Sequence, residues 1–272
     1  IQMPGTDGVT LARQIRSMDS YIDAPILMLT AMSEKSYIDA AFSAGATDYV
    51  TKPFEMTELK ARLALVERAV DAPSRKTGKV FAAQAINPQG NKAVGPVQLH
   101  EPVSIYDVNN LIEFMALENY MQQLSRSDLF GSTAFAFTIR DIEGFHNTMS
   151  PFEFCSMLSD VGETVSDTLQ GCQFLMAYAG NGTFVCIAES GWRPQPNTLA
   201  NNVNLGLART ELFDNNGKQI KPRVCAGSAV RLMWKNSSSV MDAISEAHAS
   251  AEMAAADFAR AQKDFWYVGR TA

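Results

Sequence analysis

Apolar residues recur at helical spacing from Val9 through Leu11, Ala12, Ile15 and Met18, with Asp7 placed as an N-cap. Before them, Met3-Pro4-Gly5-Thr6 reads as a tight loop, because Pro4 fixes its own φ and Gly5 is free to take a positive one. Residues 25–30 (PILMLT) are a short apolar run of the kind buried on both faces of a parallel sheet. Residues 33–44 return to helical spacing, with Tyr37, Ile38, Ala41 and Phe42 on one face and Gly45 as the stop. Residues 48–51 (DYVT) read as a second short strand, broken by Lys52-Pro53. Residues 55–70 read as a helix with Met56, Leu59, Leu63 and Val66 as its buried stripe. Helix, strand, helix, strand, helix implies a parallel sheet with crossover helices.

From Asp71 to His100 the periodicity stops. DAPSRKTGK and NPQGNKAVGP are rich in Pro, Gly, Asn and Lys, so residues 71–100 read as a linker too long for a connection inside a compact domain. A second patterned region follows over residues 101–272. The spacing predicts a helix over 107–125 carrying Leu111, Ile112, Met115, Leu117 and Tyr120, then a strand over 133–140 (TAFAFTIR). Ser150-Pro151-Phe152-Glu153 is a capping box with Pro at the first helical position, and Phe154, Leu158, Val161, Val165 and Leu169 form the face behind it. Gly180-Asn181-Gly182 is a turn leading into a strand over 183–188. A helix over 201–209, a turn at 214–217, a strand over 223–232 and a helix over 240–261 complete the pattern. No internal repeat is visible.

Composition narrows the function classes. The 272 residues are 46% hydrophobic and 19% charged, a globular balance with material for two ordinary cores. The net charge of -6 disfavours a general nucleic-acid binder, which needs a basic stripe. No apolar run approaches the ~20 residues of a membrane span. Cys155, Cys172, Cys186 and Cys225 form no CxxC pair and sit in apolar stretches, as buried thiols of a reducing cytoplasm do. The scattered histidines argue against a His/Cys metal centre.

IQMPGTDG at the start, LMLTA from Leu27 and AGATDYVTKPF from Ala44 together resemble the distal half of a response-regulator receiver domain. The resemblance covers residues 1–70 and implies part of a flavodoxin-like parallel sheet. In that family the phosphoacceptor Asp immediately precedes the position matched by Ile1. The resemblance therefore implies that this Asp, the earlier strands and an acidic Mg²⁺-binding pair stand ahead of Ile1. It further implies that Lys52 brings an ammonium to the phosphoryl oxygens and that Pro53 holds it there, often through a cis peptide. Thr30 would offer its hydroxyl to the phosphoryl group, and Tyr49 would swing inward when Thr30 is engaged. The backbone carbonyl of Gln2 would be a Mg²⁺ ligand, hard oxygen to hard ion. A sensor histidine kinase is the implied upstream partner, and the face around Tyr49 and the helix over 55–70 is one that commonly dimerises. The part of the sheet carried here should expose apolar surface.

The region from Glu101 resembles a GGDEF domain, the nucleotidyl-cyclase-like α+β fold of diguanylate cyclases with a ferredoxin-like core. Asp141-Ile142-Glu143-Gly144-Phe145 matches the D-I-D-x-F strand end, and Tyr178-Ala179-Gly180-Asn181-Gly182-Thr183-Phe184 matches the R-Y-G-G-D/E-E-F loop. RVCAGSAVRL and the alanine-rich EAHASAEMAAADFARAQK echo the closing strand and helix, while EPVSIYDVNN keeps only the outline of the opening motif. The chemistry is depleted. Joining two GTP molecules needs two metal ions on carboxylates. Asp141 keeps one candidate ligand, but the second carboxylate falls at Gly182 and the following Glu at Thr183. The second glycine is Asn181, the guanine-reading Asn falls at Met149, and the usual Lys is His146. The product-inhibition R-x-x-D falls on Gly171 and Phe174. FTIRDIEGFHNTMSP and GNGTF also resemble the metal strand and loop of class III adenylate cyclases, with the same carboxylate missing.

These resemblances imply a bacterial, cytoplasmic, phosphorelay-controlled protein whose output domain signals by binding a partner protein or a nucleotide rather than by turnover. Two alternatives stand beside it. One is a working cyclase with unusual ligands such as Glu143. The other is a sensor that binds GTP through the backbone of Gly180, Asn181 and Gly182.

Overall fold

The structure is a computed structural model and describes residue 3 and residues 5–71, 97–106, 108–124, 130–232 and 237–268. Gln2, Pro4 and most of the expected linker, residues 72–96, lie outside the described residues.

Helix α1 (Gly8–Arg16) starts on Asp7, whose carboxylate accepts the amides of Val9 and Thr10 at 2.9 Å each. β1 (Leu27–Thr30) and β2 (Asp48–Thr51) pair in parallel, from Leu27 against Asp48 to Thr30 against Thr51, with α2 (Lys35–Ser43) as the crossover. Gly45 ends α2 at φ +89, where a Cβ would lie 2.8 Å from the Arg16 side chain. The Arg16 guanidinium donates to the carbonyls of Gly45 and Ile22, tying α1 to the turn before β2. α3 (Met56–Asp71) departs from expectation: Met56 is 60% and Leu63 42% exposed. Its inward anchor is polar. Arg62 donates to both carboxylate oxygens of buried Asp48, at 2.8 and 3.0 Å.

In the C-terminal part, α4 (Phe114–Gln123), β3 (Thr133–Ile139), α5 (Ile142–Thr148), α6 (Pro151–Thr168), β4 (Phe174–Tyr178), β5 (Thr183–Ala188), α7 (Pro196–Thr210), β6 (Val224–Ala226), β7 (Val230–Arg231) and α8 (Ser237–Val268) follow in order. The sheet order is β4-β5-β3-β6, with β7 also on β3, and all these pairings are antiparallel. α6 and α7 cover one face, whose core includes Phe135, Phe137, Phe154, Val161, Phe184 and Val203. α4 and α8 cover the other. The Ser150–Glu153 capping box forms as the sequence predicts.

Two further expectations need correction. The helix predicted over 107–125 is only α4. Asn110 takes a positive φ of 59, and its carbonyl accepts the Met176 amide while the Ile112 amide donates to the Met176 carbonyl, each at 2.8 Å. Residues 110–112 thus run beside β4, and their backbone bonds go to the sheet instead of a helical turn. The strand predicted over 223–232 is cut into β6 and β7. A Cβ on Gly227 would lie 2.4 Å from the Ala251 amide, so α8 presses on the strand here, and Ser228 donates its amide to Ser250 Oγ. β4 was not predicted, although FLMAY directly precedes the Gly180-Asn181-Gly182 turn.

The two parts share a core. One apolar cluster runs from Ile38, Phe42 and Tyr49 through Leu117, Tyr120 and Met121 to Ala134, Val185 and Ala247. The expected apolar exposure is therefore partial. Leu11, Met18, Tyr21, Leu29 and Leu65 are exposed, while the α2–β2 edge is covered by α4.

Candidate functional site

The C-terminal ends of β1 and β2 bring together the residues singled out in the first part. Thr30 is 4% exposed, and its hydroxyl accepts the Met32 amide at 3.1 Å. Tyr49 is fully buried, and its hydroxyl donates to the Met32 carbonyl at 2.6 Å. Burial pushes its pKa up, against a smaller opposing effect of the Thr30 hydroxyl. Lys52 donates its amide to the Thr30 carbonyl, its side chain is exposed, and the Lys52–Pro53 peptide is cis. Thr30, Tyr49, Lys52 and Pro53 thus converge on one sheet end, with the tyrosine turned inward. Gln2 lies outside the described residues.

The second constellation is the β4–β5 hairpin and the start of α5. Gly180, Asn181 and Gly182 all take positive φ, at 93, 50 and 72. Their hairpin is closed by the Thr183 amide on the Gly180 carbonyl at 2.9 Å. Two of the three amides that could cradle phosphate are engaged. Asn181 donates to the Leu99 carbonyl at 2.7 Å, and Gly182 donates to the buried Tyr178 hydroxyl at 3.0 Å. The chain at Leu99 and His100 lies directly on the loop, for a Cβ on Gly180 would fall 2.5 Å from the His100 carbonyl oxygen. His146 Nε2 meets the Val97 carbonyl at 2.7 Å, and its ring stacks edge-on against Phe154. Periodicity gave no sign of this strap from Val97 to Glu101. It combines backbone contacts at Leu99 and His100 with Val97 and Leu99 packed on the core, partners that lie far away in the sequence.

Asp141 sits at φ 55 with its carboxylate exposed beside Gly144, whose Cβ would meet it at 2.5 Å. A Cβ on Gly182 would lie 2.7 Å from Ile142, so the loop has no room where a second carboxylate is needed. Thr183 is fully buried, and its hydroxyl pairs with that of Thr138 at 2.8 Å. Phe184 is core. Among the described residues no group of three or more His, Cys, Asp or Glu could hold a metal ion. The residues present do not fit a two-metal centre.

Residues 1–64 match the family model for the response regulator receiver domain. This first part of the chain is similar to receiver domains of that family. It is 41% identical over 81 residues to the transcriptional regulatory protein RprY of Bacteroides fragilis, covering 30% of this chain and 34% of that protein. It is 46% identical over 66 residues to the phosphate regulon transcriptional regulatory protein PhoB of Pseudomonas aeruginosa, covering 24% and 29%. The chain thus spans about a third of the length of these relatives. Among solved structures, the FimX GGDEF domain of Pseudomonas aeruginosa is similar at 16% identity and a TM-score of 0.39, over 53% of this chain and 86% of that one. No helix among the described residues is long and apolar enough to cross a membrane.

Proposed function

We propose that the protein is a phosphorelay response regulator in which a receiver over residues 1–70 and a linker over 71–100 control a degenerate GGDEF-like output unit over 101–272. The unit acts by binding a protein partner. A sensor histidine kinase is the phosphoryl donor. Mg²⁺ belongs to the receiver of the intact protein and GTP is not turned over. Thr30, Tyr49, Lys52 and Pro53 form the receiver's switch.

The observation that carries the reading is the state of the signature loop. Its Asn181 and Gly182 amides are engaged within the chain, and the position needing a carboxylate is a glycine packed on Ile142. A loop so occupied withholds these two amides from phosphate, and Asp141 alone is a poor scaffold for two cations. The same occupancy favours a protein partner over a nucleotide one.

The test is calorimetry of the full chain with GTP and Mg²⁺ or Mn²⁺, followed by chromatography for a cyclic dinucleotide, and the same with ATP. Neither heat of binding nor product is expected. Product would overturn the reading, and Asp141→Ala would then show whether this carboxylate makes it. Saturable binding without product would turn the output unit into a nucleotide sensor.

A further inference from the structure

We infer that α4 is the element through which the C-terminal part senses the receiver, because it is bolted to the α2–β2 edge that carries Tyr49. The inference rests on the reading of Thr30 and Tyr49 as a switch pair.

The joint is built at both ends of that edge. On α2, the Tyr120 hydroxyl donates to Asp39 Oδ1 at 2.8 Å, and its ring meets Phe42 edge-on at a centroid distance of 5.4 Å. The second oxygen of Asp39 takes the Lys35 ammonium at 2.6 Å, so the carboxylate is held from both sides. At the entry to β2, Asn119 Nδ2 donates to the Thr47 carbonyl at 2.9 Å. Thr47 is itself fixed to the residue before β1, through the Ile26 amide on its hydroxyl at 3.1 Å. Below α1, the Tyr106 hydroxyl bonds to Asp23.

Tyr49 lies in the same apolar cluster as Phe42, Leu117 and Tyr120, and its hydroxyl is tied to Met32 in the loop that launches α2. A packed cluster does not deform continuously. Turning Tyr49 outward frees Met32 and shifts α2 under Phe42 and Asp39, where Tyr120 is attached. The coupling has to work in both directions, since a free-energy coupling between two sites is reciprocal.

Hydrogen exchange of the full chain, read by mass spectrometry, tests this from each side. From the α4 side, Tyr120→Phe combined with Asn119→Ala should speed exchange over residues 35–51 by about tenfold. Peptides of β3 and β5 should stay unchanged, which reports an intact C-terminal core. Asp39→Asn, which keeps an acceptor for Tyr120, should exchange more slowly over this stretch than Asp39→Ala. From the receiver side, Thr30→Ala should speed exchange within α4. Unchanged exchange over 35–51 in the α4 variant would overturn the inference and leave the switch reading standing. A response there, with α4 indifferent to Thr30→Ala, would overturn the switch reading and the inference with it.

Discussion

Gly182 concentrates what a single residue decides here. Its φ of +72 and the 2.7 Å approach of Ile142 disfavour any side chain at this position. Gly182→Asp is expected to cost about 2 kcal/mol, from backbone strain and overpacking, without creating a metal site. Urea denaturation and Mn²⁺ calorimetry check the two halves of that statement. Asp160 is a second residue with a readable consequence. Burial and the neighbouring Glu163 push its pKa up to about 6 from an ordinary 3.8. The folded state then holds a proton that the unfolded chain has released, so stability falls as pH rises from about 4 to about 6. Asp160→Asn should stabilise the protein at pH 7 by about 1 kcal/mol, after discounting for its partly exposed position, and should be neutral below pH 4. Denaturation midpoints at the two pH values decide it. The glycine at this loop position was legible in the sequence. The engaged amides were not, because Leu99 reaches Asn181 from more than eighty positions away through backbone atoms alone.

At the level of the element, legibility followed local chemistry. α1 and α6 begin where Asp7 and Ser150 said they would, because a cap is read within a few residues. Ser150→Ala should cost about 1 kcal/mol, measured by thermal or chemical unfolding. The Glu153 carboxyl is held below its ordinary value, first by the Ser150 hydroxyl and then by the amides of Asn215 and Ser150. Its contribution is therefore present above about pH 4.5 and lost as pH falls through the lowered value. Elements shaped by distant partners were misread. Asn110 surrendered a predicted helix to β4, and Gly227 interrupted a predicted strand under the pressure of α8. α3 kept its predicted span, but Met56 and Leu63 of its apolar stripe are exposed while Arg62 is tied to Asp48. Arg62→Ala leaves that carboxylate buried without its cation and should cost about 3 kcal/mol, seen as a lower urea midpoint.

Across the whole molecule, the parallel pair and the antiparallel sheet share one apolar cluster, from Tyr49 to Ala247. The sequence divided them at a linker and contained no sign that α4 would bridge them, because Tyr120 and Asn119 look like ordinary helix residues until Asp39 and Thr47 are opposite. α2 and β2 are joined to this cluster through α4, and native-state exchange at rising urea should show them opening before β3 and β5, as a smaller unit on the C-terminal core. The cut between β6 and β7 has a further consequence at this scale. A long open margin of a sheet is a template on which another chain can add a strand, and such additions seed aggregates. Here that margin is two short pieces, with Gly227 clamped under α8 and the Ser228 amide turned to Ser250. Strand addition has no continuous ladder to follow there, so assemblies at this margin have to be made by side chains, whose identity can select a partner.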